Sequence, residues 1–225
     1  MRLLMRALVG SRLHGLDTPI SDFDYKTVFI ETTSNILALP EHQPSDPKDP
    51  ADTWELARFL HFALRSNPTI LETFKATFTT ENENWCEELR SLFPDVWSSK
   101  LVFHSYRGYA QSQRKKLLEN DEALSNGNVE LDTIRKRKSS AAWLRMLYNG
   151  YELLQTGDFT ARIADTEVGI LCRKYKEGES TIPEVIKTCS SWEEKLEDAF
   201  NKSTKKEANS KLVNDFLLKI RKVSW

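Results

Sequence analysis

The sequence predicts an α+β protein, with a small sheet and flanking helices near the N-terminus and a mostly helical part after it. Three observations predict this. Two strand-like runs fall within the first 30 residues, at 3–9 and 23–30. From about residue 53 the apolar residues recur at helical spacing. No internal repeat or low-complexity tract interrupts the pattern. The boundary falls near residues 95–100, which gives a first domain over 1–98 and a helical domain over 99–225 that completes the site.

The elements follow in order. Residues 3–9 form a short apolar run ended by Gly10, which predicts a buried strand rather than a signal peptide, since no small-residue cleavage site follows. Residues 10–21 hold Gly, Ser, Thr and Pro and form a turn. Residues 23–30 are rich in Tyr, Val, Phe and Ile, as a second strand is. Residues 40–51 contain four prolines and no period, so they form a loop. The stretch TWELARFLHFALRS places Leu56, Phe59, Leu60, Ala63 and Leu64 on one helical face, and Ser66-Asn67-Pro68 ends it. A second helix is expected over 69–80, ending in threonines. Ser98 or Ser99 is expected to start a helix running through Tyr106 to Leu118. The strongest helix is expected over 131–155, stopped by Thr156-Gly157. Further helices are expected at 182–189 and across 191–222, with Ser191 and Glu194 as a capping box.

Composition narrows the function classes. Of 225 residues, 40% are hydrophobic and 29% charged, which excludes a disordered or collagen-like chain. No apolar run approaches the roughly 18–20 residues of a membrane helix, so no membrane partner is expected. Three scattered cysteines, Cys86, Cys172 and Cys189, form neither a disulfide framework nor a zinc site, and a reducing, cytoplasmic setting is expected. The net charge of −1 is uneven. Residues 1–100 carry 10 basic and 15 acidic side chains, and residues 101–225 carry 22 and 18. An acidic first half suits a metal and a basic second half suits phosphates, although solvated faces give the same count. No HExxH, CxxC pair, Walker sequence or GxSxG elbow is present.

One constellation carries chemistry. Gly10-Ser11 follows the first strand, and Ser21-Asp22-Phe23-Asp24-Tyr25 opens the second. A GS turn exposes backbone N–H groups that can cradle phosphate. Carboxylates at i and i+2 on a strand point to one face. There they offer hard oxygen ligands to divalent cations. Such metals activate a hydroxyl and stabilise a pyrophosphate leaving group. Each half of the pattern is common by itself, and the order and spacing together point to nucleotidyl transfer.

The stretch GSRLHGLDTPISDFDYKTVFI resembles the nucleotidyltransferases of the DNA polymerase β superfamily. ELARFLHFALRSNPTILETF, FHSYRGYAQSQ and KRKSSAAWLRMLYNGYELLQTGDF resemble the successive blocks of one subgroup, the RNA repair pathway DNA polymerase β family. The resemblance covers roughly residues 7–165. It implies a nucleotidyltransferase-type mixed sheet. It also implies that Gly10 and Ser11 grip the triphosphate of a nucleoside triphosphate, and that Asp22 and Asp24 bind Mg²⁺ or Mn²⁺. Superfamily members carry a third acid on a later strand. Asp52 is the first choice here, with Glu55 and Glu31 in reserve. Asp52 with Glu55 also has the pattern of a helix cap with an acid at the third helical position.

Arg12 lies inside the GS turn and is a candidate phosphate ligand. His14 and Gly15 have the character of turn residues, and Asn67 that of a helix-boundary residue. His104, Tyr106, Arg107 and Tyr109 lie on one predicted helix, where a base contact competes with core packing. Lys138, in the run Arg135 to Lys138, and Arg145 stand seven apart on one helix face, as candidates for the triphosphate or an acceptor backbone.

The expected function is metal-dependent transfer of a nucleoside monophosphate to an acceptor hydroxyl. The resemblance points to RNA as acceptor, a tRNA or a damaged 3′ end. A protein or small-molecule hydroxyl is the rival acceptor, and a catalytically silent nucleotide-binding module the rival of another class.

Overall fold

The computed structural model describes residues 1–39, 52–118, 133–205 and 207–225. The proline-rich loop expected at 40–51 lies outside them. In chain order the elements are β1 (Arg2–Val9), α1 (Gly10–His14), β2 (Asp24–Ile30), α2 (Thr33–Leu37), β3 (Thr53–Glu55), α3 (Leu56–Leu64), α4 (Pro68–Thr73), β4 (Phe78–Thr79), α5 (Glu83–Ser91), α6 (Ser99–Leu118), α7 (Ile134–Thr156), α8 (Glu167–Glu177), α9 (Ile182–Lys202) and α10 (Ser210–Lys222). They divide into two compact units. The first comprises Met1–Leu13, Pro19–Ser98 and Glu207–Trp225, and the second His14–Thr18 and Ser99–Lys206.

The first unit is a four-stranded mixed sheet with flanking helices, in the order β3-β2-β1-β4. β1 runs antiparallel to β2 and to β4, and β2 runs parallel to β3. The β1–β2 register slips between Leu3 and Met5. An irregularity of this kind breaks strict alternation, and here the consecutive residues Leu4 and Met5 are both fully buried. α3 buries Leu56, Phe59, Leu60 and Ala63, a spacing of three and four residues. Each such leucine or phenylalanine contributes about 1.5–3 kcal/mol by leaving water. α10 packs against α3 and buries Val213, Phe216 and Ile220. It is tied down by Lys219 to Glu88 at 2.6 Å and by the Asn209 N–H donating to Asp95 O at 2.8 Å. The C-terminal segment therefore belongs with the sheet. This differs from a division at 98/99, which assigns that segment to the helical part.

The second unit is helical. α7 packs against α6, α8 and α9. With neighbours on several sides it buries Ala141, Trp143, Leu144, Met146, Leu147, Leu153 and Leu154, and also Ser139, Ser140 and Asn149. Phe103 of α6 stacks on Phe200 of α9 at 4.4 Å. Residues 14–16 are fastened in this unit at every step. His14 O accepts from the Ile163 N–H at 3.1 Å, Gly15 O accepts from Arg173 at 3.2 Å, and Leu16 O accepts from Lys176. A Cβ on Gly15 would meet that of Ala164 at 2.7 Å, so this loop has no room for a side chain there.

Several boundaries differ from expectation. Residues 53–55 form β3 rather than the first turn of a helix, because Thr27, Val28 and Phe29 of β2 pair with them. The cap of α3 is accordingly Glu55, whose Oε2 accepts from the Ala57 N–H at 2.7 Å. The helix expected over 69–80 stops at Thr73, and Thr79 lies in β4, paired with Arg6. The capping box sits at Thr181 and Glu184; Ser191 lies on the exposed face of an uninterrupted α9. α8 was not anticipated, although Thr166 caps it and Gly178 ends it. α7 stops at Gly157 as expected, while residues 131 and 132 lie outside the described residues.

Glu55 also joins α10 to the sheet, since Arg221 Nη2 donates to its Oε1 at 2.6 Å with both side chains largely covered. Glu55→Ala removes a cap and an ion pair together. It is expected to cost about 2 kcal/mol, roughly 1 for each, read from urea unfolding of the full chain. Activity per folded molecule should stay unchanged.

Candidate active site

The site residues of the first unit gather at one end of the β1–β2 pair. Val9, the last residue of β1, lies opposite Asp24, the first of β2. The chain then turns at Gly10 with φ of +68° and enters α1. Gly10 lies directly against the Asp24 carboxylate: a Cβ built on it would stand 2.2 Å from Asp24 Oδ2. This turn thus requires a residue that tolerates a left-handed backbone and carries no side chain. Ser11 is half-buried at the start of α1. The first N–H groups of any helix lack an intrahelical acceptor.

Asp22 and Asp24 are both exposed. Asp24 is held in the sheet ladder, while Asp22 precedes the strand. Arg12 spans this segment. Its Nη2 donates to Ser21 O at 2.8 Å, its Nε donates to Asp22 O at 3.3 Å, and its guanidinium lies 3.6 Å from the Phe23 ring centroid.

Asp52 is exposed and stands just before β3, where its carbonyl accepts from the Thr27 N–H at 2.8 Å. Thr53 pairs with Thr27, so Asp52 stands level with Lys26. Lys26 Nζ donates to Asp52 Oδ1 at 3.3 Å. Side chains of a strand alternate, so Lys26 shares its face with Asp24, and Asp52 joins that face. Glu55, level with Phe29, belongs to the opposite face. Glu31 is buried at the far end of β2, where it accepts from the Thr32 N–H at 2.9 Å and from Asn35 at 2.8 Å. Burial raises its pKa, but these donors together with the Met1 ammonium outweigh that and hold it below the usual carboxylate range. Both reserves thus have structural partners, and Asp52 is the acid on the face of Asp24.

Residues 1–218 of the chain match the model of the RNA repair pathway DNA polymerase beta family. The chain belongs to that family. No curated protein and no solved structure matches it. The family description implies a polymerase-β-like nucleotidyltransferase of an RNA repair pathway.

The donor set fits a hard cation. Mg²⁺ typically takes one or two carboxylates and completes its shell with water and phosphate oxygens, and Asp22 and Asp24 are two exposed carboxylates, the second lying against Gly10. Among the described residues no three of His, Cys, Asp and Glu gather as a metal cluster. Asp52, engaged by Lys26, is therefore not drawn into a three-carboxylate group with the pair.

Lys138 and Arg145 lie in the second unit, exposed and half-buried respectively on α7. Arg145 and Lys176 both act on Cys172, whose thiol burial pushes up to about 12 against their opposing charge. The pKa of Lys176 is lowered, first by burial and then by Lys138, with Asp17 acting the other way. Arg173 adds to the same positive field. Arg173 and Lys176 stand on α8, a helix that the sequence pattern does not predict. Their i, i+3 spacing was the available signal.

His14, Tyr106 and Asn67 have structural roles. His14 is buried, with Nδ1 3.1 Å from Ala161 O. Tyr106 is a core residue, while His104 and Arg107 on the same helix are exposed, so these side chains do not converge on one face. Asn67 caps α4, with Oδ1 accepting from the Thr69 and Ile70 N–H groups at 3.1 and 3.3 Å. Asn67→Ala should lower stability by about 1 kcal/mol in thermal or urea unfolding and leave turnover untouched. Among the described residues no helix is long and apolar enough to cross a membrane.

Proposed function

We propose that this chain transfers a nucleoside monophosphate from a nucleoside triphosphate to a hydroxyl of an RNA acceptor. The acceptor oxygen forms a bond to the α-phosphorus, the bond to the β-phosphate oxygen breaks, and pyrophosphate leaves with that electron pair. The acceptor proton passes to solvent. Asp22 and Asp24 would hold Mg²⁺ or Mn²⁺, which when bound neutralises developing charge on the phosphates and lowers the pKa of the attacking hydroxyl. Gly10 and Ser11 place backbone N–H groups at the phosphates. Asp52 is proposed as the third acid, because it stands on Asp24's face; it would join the pair when the Lys26 ion pair opens. Lys138 and Arg145 are proposed to meet the triphosphate or the RNA backbone. Positioning and electrostatics are most of what phosphoryl-transfer chemistry needs from a protein.

The observation that carries this reading is the packing of Gly10 against the Asp24 carboxylate. It joins the phosphate turn and the acid pair into one feature. The RNA acceptor rests on the family description. The test is incubation with each α-labelled nucleoside triphosphate, Mg²⁺ or Mn²⁺ and total RNA, beside the Asp22→Ala/Asp24→Ala variant. Label on RNA that vanishes in the variant supports the reading. Label on protein or a small molecule instead transfers the same chemistry to another acceptor.

The Lys26–Asp52 ion pair favours a second reading, a nucleotide-binding module without turnover. It predicts that nucleotide with Mg²⁺ raises the melting temperature while no pyrophosphate forms with any acceptor.

A further inference from the structure

We infer that Arg12 is a positioning residue for the acid pair, not a phosphate ligand. Its guanidinium fastens the three residues ahead of Asp24 and so sets the direction in which Asp22 presents its carboxylate. This inference rests on the proposed metal role of Asp22 and Asp24.

The two acids are held by different means. Asp24 has a ladder partner in Val9 and a close neighbour in Gly10. Asp22 lies before β2 begins, so no strand pairing orders it. Arg12 reaches this segment from α1. It uses Nη2 on Ser21 O, Nε on Asp22 O and one π face on Phe23. The Phe23 side chain points away from the core, at 62% exposure, so the cation above it supplies its contact on that side. A planar guanidinium can form two directed hydrogen bonds and a stacked contact at once, and an ammonium cannot. An arginine so committed to backbone oxygens and a ring is placed to shape the turn. It acts on the metal through Asp22, in the way that outer partners orient first ligands in metal sites.

The test separates metal affinity from nucleotide affinity. Arg12→Ala, Arg12→Lys and Phe23→Leu are prepared, and circular dichroism with melting temperature selects folded variants. Binding of Mn²⁺ is read from the electron paramagnetic resonance signal of free Mn²⁺, in the presence of a non-hydrolysable nucleoside triphosphate analogue. Affinity for the analogue is then measured at saturating Mn²⁺. Arg12→Ala and Arg12→Lys are expected to weaken Mn²⁺ binding about tenfold, and Phe23→Leu less, with analogue affinity at saturating Mn²⁺ unchanged. Wild-type Mn²⁺ affinity in Arg12→Ala, or full rescue by Arg12→Lys, would overturn the inference. So would a loss confined to analogue affinity at saturating Mn²⁺, which would make Arg12 a phosphate ligand. If the wild-type chain itself binds no Mn²⁺ with the analogue present, the metal-dependent reading fails and takes this inference with it. Wild-type binding with unaltered variants sinks the inference alone.

Discussion

Asp22→Asn and Asp24→Asn should each lower turnover by roughly 10³-fold or more, against the ~10²–10³ lost when one preorganised electrostatic contact is removed from an active site. Asparagine keeps the shape of aspartate and removes its charge, so the loss would come from weaker metal binding at the reacting phosphate. Both side chains are exposed. Stability should therefore change by no more than about 0.5 kcal/mol, and the melting temperature of each variant checks this. A parallel Glu31→Gln variant is the contrast, because Glu31 is buried and hydrogen-bonded at the other end of β2. It should lose stability and keep turnover per folded molecule. Full activity in Asp22→Asn or Asp24→Asn would end the proposed mechanism.

Gly10→Ala is the second large effect, and it arises from geometry rather than charge. A methyl at that position would stand 2.2 Å from Asp24 Oδ2, far inside contact distance, on a backbone with φ of +68°. The left-handed conformation alone costs an L-residue about 1–2 kcal/mol. The clash must then be relieved by moving the Asp24 carboxylate or the turn. A displacement near 1 Å at a reacting centre costs about 10²-fold in rate, so turnover should fall by at least that much. Gly157→Ala is the control, since Gly157 also has positive φ but meets nothing within 4 Å. It should show the strain in unfolding and leave turnover alone. Equal losses of turnover in both variants would mean that Gly10 acts through stability and not through Asp24.

Much of the candidate site is legible in the sequence because its signals are local. The GS turn, the acid-x-acid pair and the two flanking strands lie within 30 residues. Their chemistry follows from residue type and from the two-residue period of a strand. Helix stops such as Gly157 and caps such as Asn67 are likewise decided by a few neighbouring residues. The difficulty with the third acid was physical. Residues 53–55 are followed directly by the helical periodicity of α3, with no break to mark a strand. They become β3 only because β2 pairs with them, and that pairing decides that Asp52 lies on Asp24's face and Glu55 on the other.

Arg12 shows the same limit. Its place beside Ser11 made it a phosphate candidate, yet its partners, Ser21, Asp22 and Phe23, lie nine to eleven residues ahead. Ser191 and Glu194 match a capping pattern that α9 does not use, because the true box at Thr181 and Glu184 starts the helix ten residues earlier.

By itself the sequence determined the class of the fold and the family, and it singled out the Gly10-Ser11 turn and the acid pair as the candidate site, each carried by short-range pattern and composition. Only the tertiary structure decided the parallel pairing that makes β3, the face on which each acid stands, the packing of α10 on α3 and the ties that hold residues 14–16. Those features depend on contacts between residues 26 to 190 positions apart. At such separations no local propensity specifies a partner. The choice is made when burial and hydrogen bonding together offset the entropy of closing the loop.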